Sequence, residues 1–275
     1  MSVASFLRKW RLIHEIADDA ETARQLRALF WSRYRYPGSA LIRRVIPSGE
    51  GLVHLRLRLR GAVRPVELIL RSTDVGDIAS LFENVVESDV RSLFQSAPRF
   101  VVDAGAHIGV FSLIVSAYFP EARILAIEPN RANIEILERN FSANQVHGDI
   151  QPVALWNENT PVGFSGGQSN AGRIQPDERE EQVQARTLSS ILGDSISEVD
   201  FLKLDIEGAE LAVLPDVLPQ LPQTACIYVE LHDAACHSQL FHEICRRAGW
   251  CGQQLYQYPP HEMWLLKRSA GATHC

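Results

Sequence analysis

Cysteine and methionine are scarce in this chain, with five and two in 275 residues. The cysteines, Cys226, Cys236, Cys245, Cys251 and Cys275, all fall late and at irregular spacings. That pattern matches no zinc motif and no disulfide framework, so the expected state is buried or free thiols in a reducing, cytoplasmic setting. Long apolar runs are missing too, and nothing approaches the roughly 20 residues that span a bilayer. Near the N-terminus Arg8, Lys9 and Arg11 interleave with Trp10 and Ile13, without the apolar segment and cleavage site of a signal peptide. No internal repeat is present. A basic stripe interleaved with aromatics is absent beyond the first 60 residues, which argues against a nucleic-acid partner.

What is present is the composition of an ordinary soluble protein, 46% hydrophobic and 22% charged. The length allows one large core and a small appended subdomain. Charge is uneven. Through Arg60 there are 12 Lys and Arg against 5 Asp and Glu, while the whole chain carries −6. That basic segment reads as a solvated helix face or as a surface for an acidic partner.

Apolar residues recur at helical spacing over residues 6–30, predicting one long amphipathic helix or two shorter ones, stopped by Tyr36, Pro37 and Gly38. The stripe fits core packing or a contact with a second copy of the chain. Residues 52–60 and 66–70 alternate like a hairpin, and a helix is expected over about 78–93. Residues 1–95 thus read as a helix-and-hairpin extension able to cover a cleft, and 96–270 as the main domain. In that domain strands are expected at 100–103, 123–127, 150–154, 201–205, 226–231, 253–258 and 263–267. Helices are expected at 109–118, 131–144, 209–214 and 238–248, with a polar excursion over 157–179. The architecture is α/β, a mostly parallel seven-stranded sheet ending in an antiparallel hairpin.

The most telling segment is Val101-Val102-Asp103-Ala104-Gly105-Ala106-His107-Ile108-Gly109, followed by Ile127-Glu128-Pro129-Asn130. Each is an apolar strand ending in an acid, and the first opens through a glycine turn into a helix. This layout makes a nucleotide-shaped cleft at the carboxyl edge of a parallel sheet. Gly105 is expected to let a ligand approach the backbone. A dinucleotide site needs G-x-G-x-x-G so that pyrophosphate can sit on helix amides. Here the middle glycine is missing, and Asp103 would repel a pyrophosphate. S-adenosylmethionine, with its sulfonium and ammonium groups, suits both acids better than a nicotinamide dinucleotide does.

These blocks, with Asp200-Phe201-Leu202-Lys203-Leu204-Asp205-Ile206-Glu207-Gly208-Ala209-Glu210 and the lead-in Leu70-Arg71-Ser72-Thr73-Asp74, resemble the FkbM family of S-adenosylmethionine-dependent methyltransferases. The resemblance runs from about residue 71 to 267. It implies a Rossmann-like class I methyltransferase fold and methyl transfer, usually to oxygen of a sugar, glycan, glycolipid or secondary-metabolite acceptor. His107 departs from it, since the family usually has asparagine there.

Candidate donor-binding residues are Asp103, Gly105, Ala106, His107 and Gly109 for the methionine part, and Glu128 for the ribose hydroxyls. Pro129, Asn130 and Ala154, with Leu155, are expected at the adenine wall, and Asp205 at the ammonium. Candidate catalytic residues are His232, Asp205 and Lys203. A histidine base has a pKa near working pH, whereas Lys203 reads first as the partner of a nearby acid and second as a catalytic group. Asp205, Glu207, Glu230 and His232 could together hold a divalent cation, although none is expected. His237, His242 and His261 are expected to be solvent-facing or structural. Arg71 and Asp74 could close over the donor or simply form a turn and helix cap. The competing functions are an inactive donor-binding scaffold and a nicotinamide-dependent oxidoreductase.

Overall fold

The computed structural model describes residues 3–34, 51–165, 173–175 and 181–269. The expected stop at Tyr36–Gly38 lies outside them. Two helices, α1 (Val3–Glu15) and α2 (Ala20–Tyr34), stand where the long amphipathic stretch was read. A hairpin of β1 (Leu52–Leu57) and β2 (Val66–Arg71) follows. Then comes α3 (Val75–Phe82), which is shorter than expected. It passes into a π-helical turn at Glu83–Glu87 and a 3-10 turn at Val90–Leu93.

The main sheet takes β3 (Phe100–Ala104), β4 (Arg123–Ile127), β5 (Gly148–Gln151), β10 (Phe201–Leu204), β11 (Cys226–Leu231), β12 (Trp250–Tyr258) and β13 (His261–Arg268). Its order is β12-β13-β11-β10-β3-β4-β5, with β13 antiparallel to both neighbours. Chain order reverses between β3 and β10, which pair in parallel. A cleft opens beyond the carboxyl ends of strands at such a point. Helices α4 (Val110–Tyr118) and α5 (Arg131–Asn144) cross over between the first strands. Helices α7 (Glu210–Gln220) and α8 (Ala234–Arg247) serve the second half of the sheet. Ala154, expected to end a main-sheet strand, instead lies in β6 (Ala154–Leu155) of a small second sheet. That sheet is completed by β7 (Pro161–Ser165), β8 (Arg173–Gln175) and β9 (Glu181–Arg186). The polar excursion therefore includes strands. A short α6 (Leu188–Leu192) leads back to β10.

The N-terminal extension shares its core with the main sheet. Ile13, Phe30, Leu55, Leu70 and Phe82 are buried in one continuous cluster with Val101, Phe111 and Phe201. Its apolar stripe is largely spent there, with Phe6, Trp10, Phe30 and Trp31 stacked edge to face. Two asparagines on one face of α5 fix the hairpin, because residues four apart on a helix are neighbours. Asn140 accepts from the Ile69 amide at 2.7 Å and donates to its carbonyl at 3.0 Å. Asn144 does the same at Glu67, at 2.9 and 2.6 Å. They occupy the donor and acceptor row of β2 that another strand would otherwise seek.

Among the described residues no helix is long and apolar enough to cross a membrane. Cys226, Cys236 and Cys245 are free thiols. Cys251 is disulfide-bonded, which departs from the expectation of thiols throughout.

Candidate active site

The glycine turn after β3 is tied up by its own neighbours. The Gly105 and Ala106 amides donate to the Ile127 carbonyl at 3.0 and 3.1 Å, and the Gly109 amide to the Ala106 carbonyl at 2.8 Å. His107 donates its amide to Glu128 at 2.9 Å. These four donors are spent inside the protein, so none of them cradles a phosphate. Gly105 has φ +76°, and a Cβ there would sit 1.7 Å from the Asp205 carbonyl oxygen. The glycine is thus demanded by the close passage of the Asp205 backbone, a stronger reason than the ligand approach expected from sequence. His107 lies at φ 54°, in the left-handed region that Asn and His tolerate better than most residues. That backbone need explains why histidine can replace asparagine. Its Nε2 is 3.3 Å from Asp77, and burial, outweighing the pull of Asp77, lowers its pKa towards the neutral imidazole.

Asp103 is completely buried. It accepts from the Ser112 hydroxyl at 2.7 Å and lies 3.4 Å from Lys203 Nζ. Its carboxylate sits behind the cavity wall and does not line the cavity, in contrast to the expected contact with the donor. Lys203 and Asp205 are two residues apart and share a face. Lys203 donates to the Gly105 carbonyl at 3.0 Å and pairs with Asp205 at 3.1 Å. Burial works against its charge, but the two aspartates outweigh burial and raise its pKa. Lys203 is a fixed ammonium with partners, and so carries no free lone pair for base chemistry. Burial likewise opposes the Asp205 carboxylate, yet Lys203 prevails and lowers its pKa.

Glu128 is buried at the tip of β4 and receives the His107 amide, the Asn130 amide at 3.0 Å and Asn133 Nδ2 at 3.2 Å. Burial pushes its pKa to about 6 despite those bonds. Pro129, Ala154, Leu155 and Phe164 line the cavity beside it. Asn130 and Gly109 do not. Asn130 caps α5, accepting from the Ala132 amide at 2.9 Å, and Gly109 starts α4 against Leu137.

The third block builds the opposite end. Glu207 and Gly208 take positive φ, 56° and 100°, turning the chain from β10 into α7. Buried Glu210 closes that turn, accepting from the Ile206 and Gly208 amides at 3.1 Å each. The same Glu210 oxygen lies 2.9 Å from His232 Nδ1. His232 Nε2 is 3.2 Å from Glu207 and 3.7 Å from Glu230. Burial disfavours its charge, but Glu207 and Glu210 overcome it and raise its pKa to about 11. His232 is therefore an imidazolium at neutral pH with both nitrogens donating, which corrects the expectation of a histidine base titrating near pH 7.

Glu230 is pushed up to about 8, by burial first and then by Asp205, while the Tyr258 hydroxyl donates to it. His261, expected to be peripheral, lines the cavity with its ring centroid 4.6 Å from that of His232. His242 packs on Trp264, and His237 Nδ1 contacts the His232 carbonyl. Two overlapping sets, Glu230, His232 and His261 or Asp205, Glu207 and His232, offer ligand atoms within 4.8 Å of one another.

The N-terminal extension supplies the remaining wall through Gly76, Ser80, Glu83 and Asn84. Asp74 caps α3, accepting from the Gly76 and Asp77 amides. Arg71 forks onto fully buried Asp77 at 2.6 and 2.8 Å and reaches Asn133 at 2.7 Å. Arg71 and Asp74 thus form the turn and cap rather than the cavity lining. The enclosed space is about 380 Å³, within the range of small-molecule sites. Glu210, Asp77, Tyr258, His261 and Glu83 escaped the reading of the sequence. Only Glu210 carried a signal, an acid two residues beyond Gly208 in the turn that follows β10.

A model of the methyltransferase FkbM domain matches residues 103–258. Methyltransferase 1 of Beauveria bassiana (strain ARSEF 2860) is 28% identical over 141 residues, 42% of this chain and 57% of that protein. Methyltransferase sdnD of Sordaria araneosa is 26% identical over 155 residues, 43% of this chain and 60% of that protein. A tRNA1(Val) (adenine(37)-N6)-methyltransferase of Vibrio parahaemolyticus serotype O3:K6 (strain RIMD 2210633) is 24% identical over 171 residues, 60% and 64% of the two chains. The chain spans about 60% of the length of the first two relatives. The family match covers the strand tips, the glycine turn and the acidic block just described. The chain belongs to the FkbM methyltransferase family.

Proposed function

We propose that the protein transfers a methyl group from S-adenosylmethionine to a hydroxyl of an acceptor of the sugar, glycan, glycolipid or secondary-metabolite type. The observation that carries this reading is the polarity of one continuous cleft. An apolar end beside Glu128 leads into an end dominated by carboxylates. Five carboxyl groups, Glu83, Glu128, Asp205, Glu207 and Glu230, line the cavity, against Lys203 and the His232 imidazolium. A ligand with a sulfonium and an ammonium fits that excess. A pyrophosphate does not, because it would meet like charge and find the turn amides already used.

Glu128 can accept the ribose hydroxyls, since each carboxylate oxygen has lone pairs beyond those the amides use. Pro129, Ala154 and Leu155 offer apolar surface for a purine. Asp205 stands nearest the strand-order reversal and can face the ammonium, held in place by Lys203. When bound, the donor supplies an electrophilic methyl carbon on a positively charged sulfur. The chain's own contribution is alignment and a place for the hydroxyl proton. A polyanionic acceptor such as RNA is disfavoured by the same carboxylates.

Calorimetry with S-adenosylhomocysteine and with NAD tests the donor half, and we expect heat from the first alone. Binding of NAD in its place would turn the reading towards hydride transfer. Incubation with methyl-labelled donor and a panel of glycans tests the acceptor half. Label found on nitrogen, or donor binding with no acceptor anywhere in the panel, would overturn the assignment to hydroxyl transfer.

A further inference from the structure

The segments that build the apolar end of the cleft, 127–129 and 154–164, place one polar side chain on its wall, Glu128. The rest is Ile127, Pro129, Ala154, Leu155 and Phe164. Backbone donors on either side of Ala154 and Leu155 are already used. The Val153 amide donates to the Gln151 carbonyl and the Trp156 amide to the Arg186 carbonyl, each at 2.9 Å. With Glu128 taking the ribose, a base carried beyond it meets apolar surface and no side chain that could read its edge.

Phe164 is out of keeping with the other phenylalanines. Among the described residues, every other one belongs to, or packs against, one of the two apolar clusters of the core. Phe164 is 4% exposed yet stands in neither cluster, and its ring pairs with no other described aromatic ring. It borders the cavity instead. A ring placed so lacks packed neighbours on that side, and a flat ligand supplies them.

The second sheet accounts for the position. β6 runs parallel to β9 through Ala154 and Ala185, and β7 runs antiparallel to β9 through Phe164 and Glu181. The Ala185 amide closes this doubling-back on the Thr160 carbonyl at 3.0 Å. Leu155 and Phe164 are thereby brought to the same space.

We propose that Phe164 is the platform on which the donor's adenine stacks, and that the site selects its base by ring shape, with no side chain reading the 6-amino group. The proposal rests on the donor reading above. An aromatic ring offers its π face to any flat base, in the offset arrangement that such rings prefer. Stacking of this kind separates purines weakly, because each has a π face. A site that hydrogen-bonds a group through buried partners separates them strongly, since an analogue without the group leaves those partners unpaired. The wall here is of the first kind. Glu128 and Phe164 then divide the nucleoside, the carboxylate holding the sugar and the ring holding the base.

Calorimetry on the whole protein with S-adenosylhomocysteine tests this. Phe164→Leu keeps an apolar side chain and loses the π face, and should weaken binding by about tenfold. Phe164→Tyr should keep it. S-ribosylhomocysteine, which has the sugar and the amino acid but no base, should bind the wild type and Phe164→Leu alike. S-inosylhomocysteine, with oxygen in place of the 6-amino group, should bind the wild type within about tenfold of the adenosyl compound. In proton NMR the adenine H2 and H8 lines should move upfield on binding to the wild type, and less with Phe164→Leu. A side chain with a merely structural role would not produce that ring-current shift. Unchanged affinity in Phe164→Leu, an equal loss for the base-free ligand, or unshifted adenine lines would overturn the stacking assignment. A larger loss for the inosyl ligand would overturn selection by shape. If the wild type itself fails to bind S-adenosylhomocysteine, the donor reading has failed. If it binds and Phe164→Leu binds equally well, this inference alone has failed.

Discussion

The two ends of the cleft solve opposite problems. Around the glycine turn the backbone amides are spent within the protein, from the Ile127 carbonyl to the Glu128 carboxylate, and only the His107 ring nitrogens and one Asp103 oxygen are left without a hydrogen bond among the turn's described groups. Around Glu207, Glu230 and His232 the chain instead crowds like charges. Glu230 and Glu207 have raised pKa values, each from burial first and then from Asp205 nearby. The first end is a finished mould, rigid before any ligand arrives. The second carries unbalanced charge that a cationic ligand would relieve. Function concentrates where the protein leaves its electrostatics incomplete, as perturbed titrations often mark such sites.

The contrast can be broken in order of expected effect. Asp103→Ala should cost about 3–5 kcal/mol of stability, because it opens the fully buried group on which Lys203 and Ser112 lean. Urea unfolding measures it, and loss of donor affinity without loss of stability would put Asp103 back in the ligand contact. Glu128→Ala should weaken S-adenosylhomocysteine binding by about 10- to 100-fold in calorimetry. An equal loss for a ribose-free analogue would contradict its role at the ribose.

The cleft as a whole sets a pH dependence with a definite sign. Glu128, Glu230 and His232 all have folded pKa values above their ordinary ones, at about 6, about 8 and about 11. Each binds its proton more tightly when folded, so each contribution is full at low pH and fades as pH rises through the folded value. The ligand-free protein should therefore lose roughly 4 kcal/mol between pH 6 and pH 8 in urea melts. S-adenosylhomocysteine, whose ammonium is positive, should reduce that loss, and a loss unchanged by ligand would sink the idea of relief. Smallest is Asn130→Ala, about 1 kcal/mol as a helix cap, with donor affinity nearly intact. A large affinity loss would restore the adenine wall expected for this residue.

The sequence showed the strand-turn-helix blocks plainly, because each lies within a few residues and has its own signature. Gly105, Glu128 and Asp205 were legible for that reason. The partners that set their chemistry come from far along the chain. Asp77 looks like an acid in the first turn of α3, three residues after its cap, and nothing local reveals that it receives Arg71 and His107. Tyr258 and His261 flank the turn of the hairpin and reach the cavity only because β13 inserts beside β11. The error over His232 had the same source. Its grouping with Glu207 and Glu230 was visible, but Glu210, which also holds its proton, arrives from the first turn of α7.

Asn140 of α5 does more than dock the hairpin, since its amide also donates to the Ile108 carbonyl at 2.8 Å, inside the glycine turn. One side chain thereby stitches three parts that are distant in sequence. The hairpin cannot slide along α5 without tugging the glycine turn at the floor of the cleft. Any acceptor that shifts the roof will be felt by the floor.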